Sequence, residues 1–300
     1  MRAAHKLTIV FLLLLLVIVF VLLLMLAQMT ATQGAAFGHP GLRVEVRWLT
    51  EHQPSGSVVL VDARTEQEYE NGHLESAVNV PWNRFLDGQG RFVGPAAAHV
   101  LGDAGISPDD EVVVMGGDSS EAAAYVFWVL DAFGHAKLHL LTEPIRQVRS
   151  EGIPVVTTAS RRVPSAYAAE LRPECLASAE WLAAHHADPG LVILDVRVLT
   201  GSPEAPCIPG ARPVSANPQL WLAAGSGRTA LDLYAAALRG ADVTPGSAVA
   251  VYGENGRQAS VAYFVLRLMG LDSVRLYDGG WREWSSDPTR PVGRMKVAAE

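Results

Sequence analysis

The chain has 300 residues, of which 49% are hydrophobic and 18% are charged, a composition that excludes intrinsic disorder over most of its length. Its 24 basic and 31 acidic side chains give a formal net charge of −7, which argues against nucleic-acid binding because such proteins carry a basic surface. Two cysteines are too few for a disulfide scaffold or a four-thiolate zinc site.

The first predicted element is an apolar helix near the N-terminus. Residues 9–27 are all apolar, and as a helix they would span about 28 Å, close to the thickness of a bilayer core. Arg2 and Lys6 precede this run and no charge follows it before Arg43, so the positive-inside rule predicts a cytoplasmic N-terminus. We therefore expect a single-pass membrane protein with periplasmic domains, in which residues 1–41 form a cytoplasmic start, a transmembrane signal anchor and a stalk.

A cleaved signal peptide is the alternative for this segment. Such peptides have an apolar region of about 7–15 residues with small residues at a nearby cleavage site. Here the apolar run is longer, and the best small-residue candidate, residues 34–36, lies well beyond its end. If cleavage occurs there, the mature protein is secreted.

The remainder of the chain repeats itself once. Trp48 and the Asp-x-Arg triplet of residues 62–64 return as Trp181 and the Asp-x-Arg triplet of residues 195–197, both at the same offset. Further similar segments follow in the same order and at nearly the same spacing. Such self-similarity indicates duplication of one structural unit.

Each half alternates short β-branched runs with helical patterns, which predicts a parallel sheet with helices on both faces. We therefore expect an α/β fold of two tandem domains, residues 42–159 and 175–292, with a linker at 160–174 and a tail at 293–300. The predicted strands include residues 58–61, 111–115, 191–194 and 248–252, and the predicted helices include residues 121–133 and 260–269.

Three further motifs occur in order along the two halves. They are residues 73–82 (HLESAVNVPW), residues 208–211 (IPGA) and residues 277–284 (YDGGWREW). Together with the Asp-x-Arg triplets, they resemble the motifs of the tandem rhodaneses over about residues 42–292. The chain is identified by this resemblance as a member of that family, nearest to the thiosulfate and 3-mercaptopyruvate sulfurtransferases.

The resemblance implies a sulfur-transfer site in the second domain and no cofactor. In that family a catalytic cysteine follows the fourth strand and opens a Cys-x-x-Gly-x-x-Ala loop that leads into a helix. Amide groups of the loop and the helix N-terminus stabilise the thiolate. The thiolate takes a sulfur atom from thiosulfate or mercaptopyruvate and passes it, as a persulfide, to an acceptor.

The corresponding loop of this chain lacks the cysteine. Gly253 stands at the nucleophile position, Glu254 adds a negative charge, and Asn255 stands where a cation is often found. The loop that we expect to bind anions consists of Gly253, Glu254, Asn255, Gly256, Arg257, Gln258 and Ala259. With no thiol at its first position, the loop predicts a site without a catalytic residue.

Two other positions strengthen this expectation. The substrate-binding arginine that the family carries after the second Asp-x-Arg aligns with Gly201, and Gly116 stands at the nucleophile position of the first domain. We therefore expect a catalytically degenerate protein that binds a small sulfur-containing anion, another oxyanion or an acidic segment of a protein partner.

Several alternatives stay open at this point. Cys207 replaces a histidine of a family motif, and its thiol could make the chain an active sulfurtransferase that passes sulfur to a thiol or cyanide. An oxidising compartment would also permit a Cys175–Cys207 disulfide, although small buried side chains are the simpler interpretation of both residues. Arg257 either binds an anion at the mouth of the loop or forms a surface salt bridge.

Overall fold

The computed structural model describes residues 38–52, 57–117, 119–199, 204–214, 237–244 and 246–296. The predicted membrane segment at residues 9–27 and the position of Gly201 lie outside the described residues. Among the helices that are described, none combines the length and the apolar character needed to cross a bilayer. The described residues from His39 onward belong to one compact unit.

A five-stranded parallel sheet lies at the centre of the first half. Its strand order is β1-β6-β5-β2-β4, while β3 and β7 form a separate antiparallel pair. Residues 112–114 of β5 are fully buried, as expected of a continuous apolar strand that helices cover on both faces. The strands are β1 (Arg43–Val44), β2 (Val58–Asp62), β3 (His73–Leu74), β4 (Val78–Asn79), β5 (Glu111–Met115), β6 (Leu138–Leu141) and β7 (Val155–Val156), and the helices are α1 (Val46–His52), α2 (Glu66–Glu70), α3 (Ala97–Asp103), α4 (Glu121–Ala132) and α5 (Ile145–Ser150).

The second half repeats this arrangement strand for strand. The strands are β8 (Leu176–Ala177), β9 (Leu191–Asp195), β10 (Glu204–Cys207), β11 (Arg212–Pro213), β12 (Ala248–Tyr252), β13 (Val274–Tyr277) and β14 (Gly293–Lys296), and the helices are α6 (Ala179–His185), α7 (Gly256–Leu268) and α8 (Gly280–Ser286). The parallel sheet has the order β8-β13-β12-β9-β11, and β10 pairs with β14 antiparallel. The predicted α/β duplication is confirmed.

Some element boundaries differ from the sequence prediction. The helix expected at residues 260–269 begins earlier, at Gly256. It does so because the Asn255 side chain accepts a hydrogen bond from the Gln258 amide at 3.1 Å, which satisfies one of the free amides of the first turn. Residues 157–172 contain neither helix nor strand. This agrees with a linker there, although the predicted domain limits themselves stay a prediction.

The two Asp-x-Arg triplets form the same buried ion pair. The Nε of Arg64 donates to Oδ1 of Asp62 at 3.0 Å, and the Nε of Arg197 donates to Oδ1 of Asp195 at 2.9 Å. Both carboxylates are completely buried. Each arginine also donates to a carbonyl near the small antiparallel pair of its half. The pair thus joins the end of a central strand to the segment that follows it.

Helices α4 and α7 pack against each other across the two domains. Nearly every residue of either helix beyond the first turn is buried, and the Phe127 and Phe264 rings meet edge to face at 4.9 Å. A helix that is apolar all round has to be covered on more than one face. Each helix therefore packs on its own sheet and on the other domain.

Asp131 satisfies the polar groups of this interface. Its Oδ2 accepts hydrogen bonds from the Tyr263 hydroxyl at 2.7 Å and from Nε of Arg267 at 2.9 Å. Its Oδ1 lies 3.2 Å from Nη2 of Arg172 in the linker. One carboxylate of the first domain therefore holds two groups of α7 and one of the linker.

We expect Asp131→Ala to lower the free energy of unfolding by about 3 kcal/mol, because it removes the buried carboxylate that accepts from the Tyr263 hydroxyl and from Nε of Arg267. Asp272→Ala is the matched control. Asp272 contacts the same arginine, Nη1 of Arg267, at 2.7 Å but is 76% exposed, so its loss should cost less than about 1 kcal/mol. Urea denaturation of both variants tests this, and equal losses would contradict the central role of Asp131.

Candidate functional site

The loop at residues 253–259 lies at the carboxyl end of the central strand β12. This strand is flanked by β9 and β13, and residues 256–259 of the predicted loop form the first turn of α7. In open parallel sheets, ligands bind at the carboxyl ends of the strands. The structure therefore places all seven predicted loop residues together at the edge of the sheet where such sites occur.

The polar groups of the loop are partly bonded within the loop itself. Oε1 of Gln258 accepts a hydrogen bond from the amide of Glu254 at 2.7 Å, and Oδ1 of Asn255 accepts one from the amide of Gln258. The carbonyl of Gly253 accepts from the amide of Trp281 in α8 at 2.9 Å. Hydrogen bonds within the loop and from α8 therefore hold the turn closed.

The backbone of helix α8 contacts the backbone of the loop at Gly280. Gly280 has φ +61°, and a Cβ atom there would lie 2.7 Å from the carbonyl oxygens of Gly253 and Glu254. On the other side, a Cβ atom at Gly256 would overlap Oδ1 of Asp278. Both positions require glycine because a side chain would overlap these atoms, and at Gly280 the positive φ is a second reason because glycine adopts it at low cost.

Asp278 connects this region to the first domain. Its Oδ1 accepts a hydrogen bond from the Tyr125 hydroxyl at 2.7 Å, and its Oδ2 accepts one from the amide of Phe92 at 2.9 Å. Burial raises the pKa of Asp278 above its ordinary value. The carboxyl group therefore forms hydrogen bonds across the domain interface and lies next to Gly256 of the loop.

Arg257 also reaches the first domain. Its Nε lies 3.0 Å from Oε2 of Glu121, and its guanidinium lies 4.4 Å from the centre of the Trp82 ring. The structure contains the salt bridge, with a cation–π contact beside it, and anion binding by Arg257 stays a prediction. Arg257 thus joins the first turn of α7 to the first turn of α4.

A buried network lies beneath the loop. The Tyr252 hydroxyl donates to Oδ2 of Asp195 at 2.5 Å, and the guanidinium of Arg197 lies 4.4 Å from the Trp281 ring centre. Burial raises the pKa of Tyr252. The predicted site residues do not include Tyr252, although the difference between this tyrosine and Met115 at the same place in the first half was an available signal.

Sequence comparison identifies the family of both domains. The rhodanese-like domain family matches residues 45–150 and 178–287. The chain belongs to the rhodanese family. It is 28% identical to a thiosulfate sulfurtransferase of Corynebacterium glutamicum, with 85% of this chain and 91% of the relative covered. It is 27% identical to the sulfur carrier protein TtuD of Thermus thermophilus, with 86% and 98% covered. The resemblance to the sulfurtransferases of this family is confirmed.

Solved structures confirm the tandem rhodanese fold. The crystal structure of YnjE matches with a TM-score of 0.72 and 23% identity, over 85% of this chain and 69% of that chain. SseA from Escherichia coli, described as a 3-mercaptopyruvate sulfotransferase, matches with a TM-score of 0.65 and 22% identity, over 80% and 98%. At these identities the likeness concerns the fold alone.

The two cysteines of this rhodanese lie outside the loop. Cys207 ends strand β10 and packs in the core of the second domain, where it is 2% exposed. Cys175 ends a 3-10 turn and is also buried. Both are free thiols, so the disulfide considered above is absent. Burial raises the pKa of each thiol, which disfavours the reactive thiolate.

Within the described ranges, no group of three or more His, Cys, Asp or Glu side chains is placed to hold a metal ion. The structure brings the loop and the network beneath it together at the carboxyl ends of β9 and β12.

We expect both thiols of the folded rhodanese to react with a disulfide reagent at pH 8 more than about tenfold more slowly than free cysteine, because burial blocks access and raises the pKa of each thiol. Both should react at once after unfolding in guanidinium chloride. Cys175→Ser and Cys207→Ser assign the two signals. Rapid labelling of Cys207 in the folded protein would contradict the burial argument.

Proposed function

We propose that this rhodanese performs no sulfur transfer and acts as a membrane-anchored, extracytoplasmic binding module. Its ligand would be a small sulfur-containing anion or an acidic segment of a protein partner, bound at residues 253–259. The observation that carries the proposal is Gly253, which directly follows β12, where the family resemblance expects the nucleophile. Persulfide formation needs a thiolate at the reacting position, and glycine has no side chain.

The state of the two thiols supports this proposal. Cys207 is packed in the core, and Cys175 follows the linker, outside the loop. Burial raises the pKa of both, so neither has the lowered pKa that an activated nucleophile requires. Neither position therefore supports the idea that Cys175 or Cys207 acts in place of the missing nucleophile.

The loop nevertheless has features of a binding element. Its last four residues form the first turn of a helix of 13 residues, whose first amides carry a partial positive charge that favours anions. Arg257 adds a cation that is 37% exposed in spite of its salt bridge. Glu254 is exposed and opposes an anion, so we expect weak binding of thiosulfate or sulfate.

An active sulfurtransferase is the second candidate. It is favoured by the similarity to the thiosulfate sulfurtransferase of Corynebacterium glutamicum over most of both chains. Because Gly253 has no thiol, this activity would have to use Cys175 or Cys207, and it would depend on one of them completely.

Two assays on the purified full chain separate these candidates, one with thiosulfate and cyanide and one with 3-mercaptopyruvate and a thiol. We expect no thiocyanate or sulfide above the amount formed by the Cys175→Ser/Cys207→Ser variant, because the loop has no nucleophile. Turnover that disappears in this variant would establish the second candidate. Calorimetry with thiosulfate and with sulfate then tests the anion ligand on the same preparation, and no heat with either would remove the small-anion ligand.

The proposed anchor predicts that the intact chain stays with the membrane fraction of a bacterial host and is released by detergent but not by salt or alkali. The physical reason is the burial of residues 9–27 in the hydrocarbon core. Mass spectrometry should detect the original N-terminus. A mature protein that begins near residues 34–36 and appears in the soluble fraction would show cleavage instead.

A further inference from the structure

The space beside Gly253 is occupied by the side chain of Gln258. A Cβ atom at Gly253 would lie 2.7 Å from Oε1 and 3.0 Å from Cβ of Gln258, and 3.2 Å from the amide nitrogen of Ala259. Contacts of 2.7 Å between carbon and a non-bonded oxygen are repulsive, since the optimum is near 3.5 Å or beyond. A side chain at position 253 therefore has to displace the carboxamide of Gln258.

Gln258 is fixed in this position by hydrogen bonds at both ends. Its Oε1 accepts from the amide of Glu254 at 2.7 Å, and its own amide donates to the Asn255 side chain at 3.1 Å. This arrangement is similar to a capping box, in which a side chain of the first helical turn bonds back to the preceding loop. Displacing the carboxamide breaks the bond to Glu254.

The first domain provides an internal comparison. There the loop glycine is Gly116, and a Cβ atom on it would lie 3.2 Å from Cβ of Ala123. The nearest atom is the backbone carbonyl oxygen of Ser119, at 3.1 Å. The three nearest atoms there belong to Ser119 and Ala123, so no long side chain occupies this space as Gln258 does beside Gly253. Alanine is a strong helix former, so we expect α7 to accept it at position 258.

We infer that Gln258 is a positioning residue that closes the loop: its carboxamide fills the volume of a side chain at position 253 and occupies the amide of Glu254. The inference rests on the proposed function, in which this loop is the binding element. Gly253 and Gln258 are coupled in this view. When Gly253 alone is replaced, the new side chain conflicts with Gln258 and the loop has to change its conformation. When both residues are replaced, this conflict is gone and the loop opens.

A double-mutant cycle on the full chain tests the coupling without any chemistry. We expect Gly253→Ala to lower the melting temperature by about 3 °C or more. The same substitution in a Gln258→Ala background should lower it by less than about half as much, because the close contact with Oε1 is gone. Equal shifts in the two backgrounds would overturn the inference. Gln258→Glu keeps an acceptor at the same position, so it should keep the large shift.

Introduced thiols provide a second readout that a purely structural role would not change. In a chain with Cys175→Ser and Cys207→Ser, Gly253→Cys with Gln258→Ala should react with a disulfide reagent at least about tenfold faster than Gly253→Cys alone, because the thiolate can then meet the free amides of the turn. With thiosulfate, this thiolate attacks the outer sulfur, the S–S bond of thiosulfate breaks, and sulfite leaves with its electron pair. The protein gains one sulfur atom.

The outcomes separate this inference from the proposed function. If Gly253→Cys alone gains sulfur as fast as the double variant, Gln258 does not close the loop and the inference is overturned. If the double variant gains sulfur faster, the inference stands. If Gln258→Ala on the native Gly253 background binds neither thiosulfate nor sulfate while the melting-temperature shifts remain coupled, the closing role stands and the small-anion ligand of the proposed function fails.

Discussion

The packing of α4 against α7 is the contact on which the rest of this rhodanese depends. Both helices are buried almost completely, so neither domain can cover its own helix without the other. Asp131 supplies the acceptor that the buried polar groups of α7 need. At the other end of the helices, Arg257 meets Glu121 and Trp82. The loop that precedes α7 is therefore held in place by the first domain as much as by its own sheet.

The segments around this loop make close contacts with its backbone. Helix α8 donates to the carbonyl of Gly253, and Gly256 and Gly280 leave no room for side chains. These close contacts are present although the family resemblance assigns the nucleophile to position 253. The side chain there is only a hydrogen atom. The persulfide of this family forms on a cysteine thiolate, and the binding role proposed above needs no such group.

The two halves preserve the same supports and differ in their loops. The Asp-x-Arg ion pairs have nearly the same hydrogen-bond distances in both halves, because each buried arginine would be an uncompensated charge without its aspartate. In contrast, Tyr252 adds a hydrogen bond to Asp195 that Met115 cannot form, and Gln258 fills a space beside Gly253 that Ser119 and Ala123 border in the first half. The two halves therefore differ at the carboxyl ends of β5 and β12.

The sequence by itself determined the duplication, the α/β class, the strands and the family, because repeated motifs and runs of β-branched residues are local patterns. The membrane segment at residues 9–27 stays a prediction from the sequence. Only the tertiary structure decided that Arg257 is paired with Glu121, that Cys175 and Cys207 are buried apart from the loop, and that Gln258 closes it. These features depend on contacts between segments that are distant in sequence or on the path of one side chain around a turn, and neither residue type nor spacing specifies such contacts.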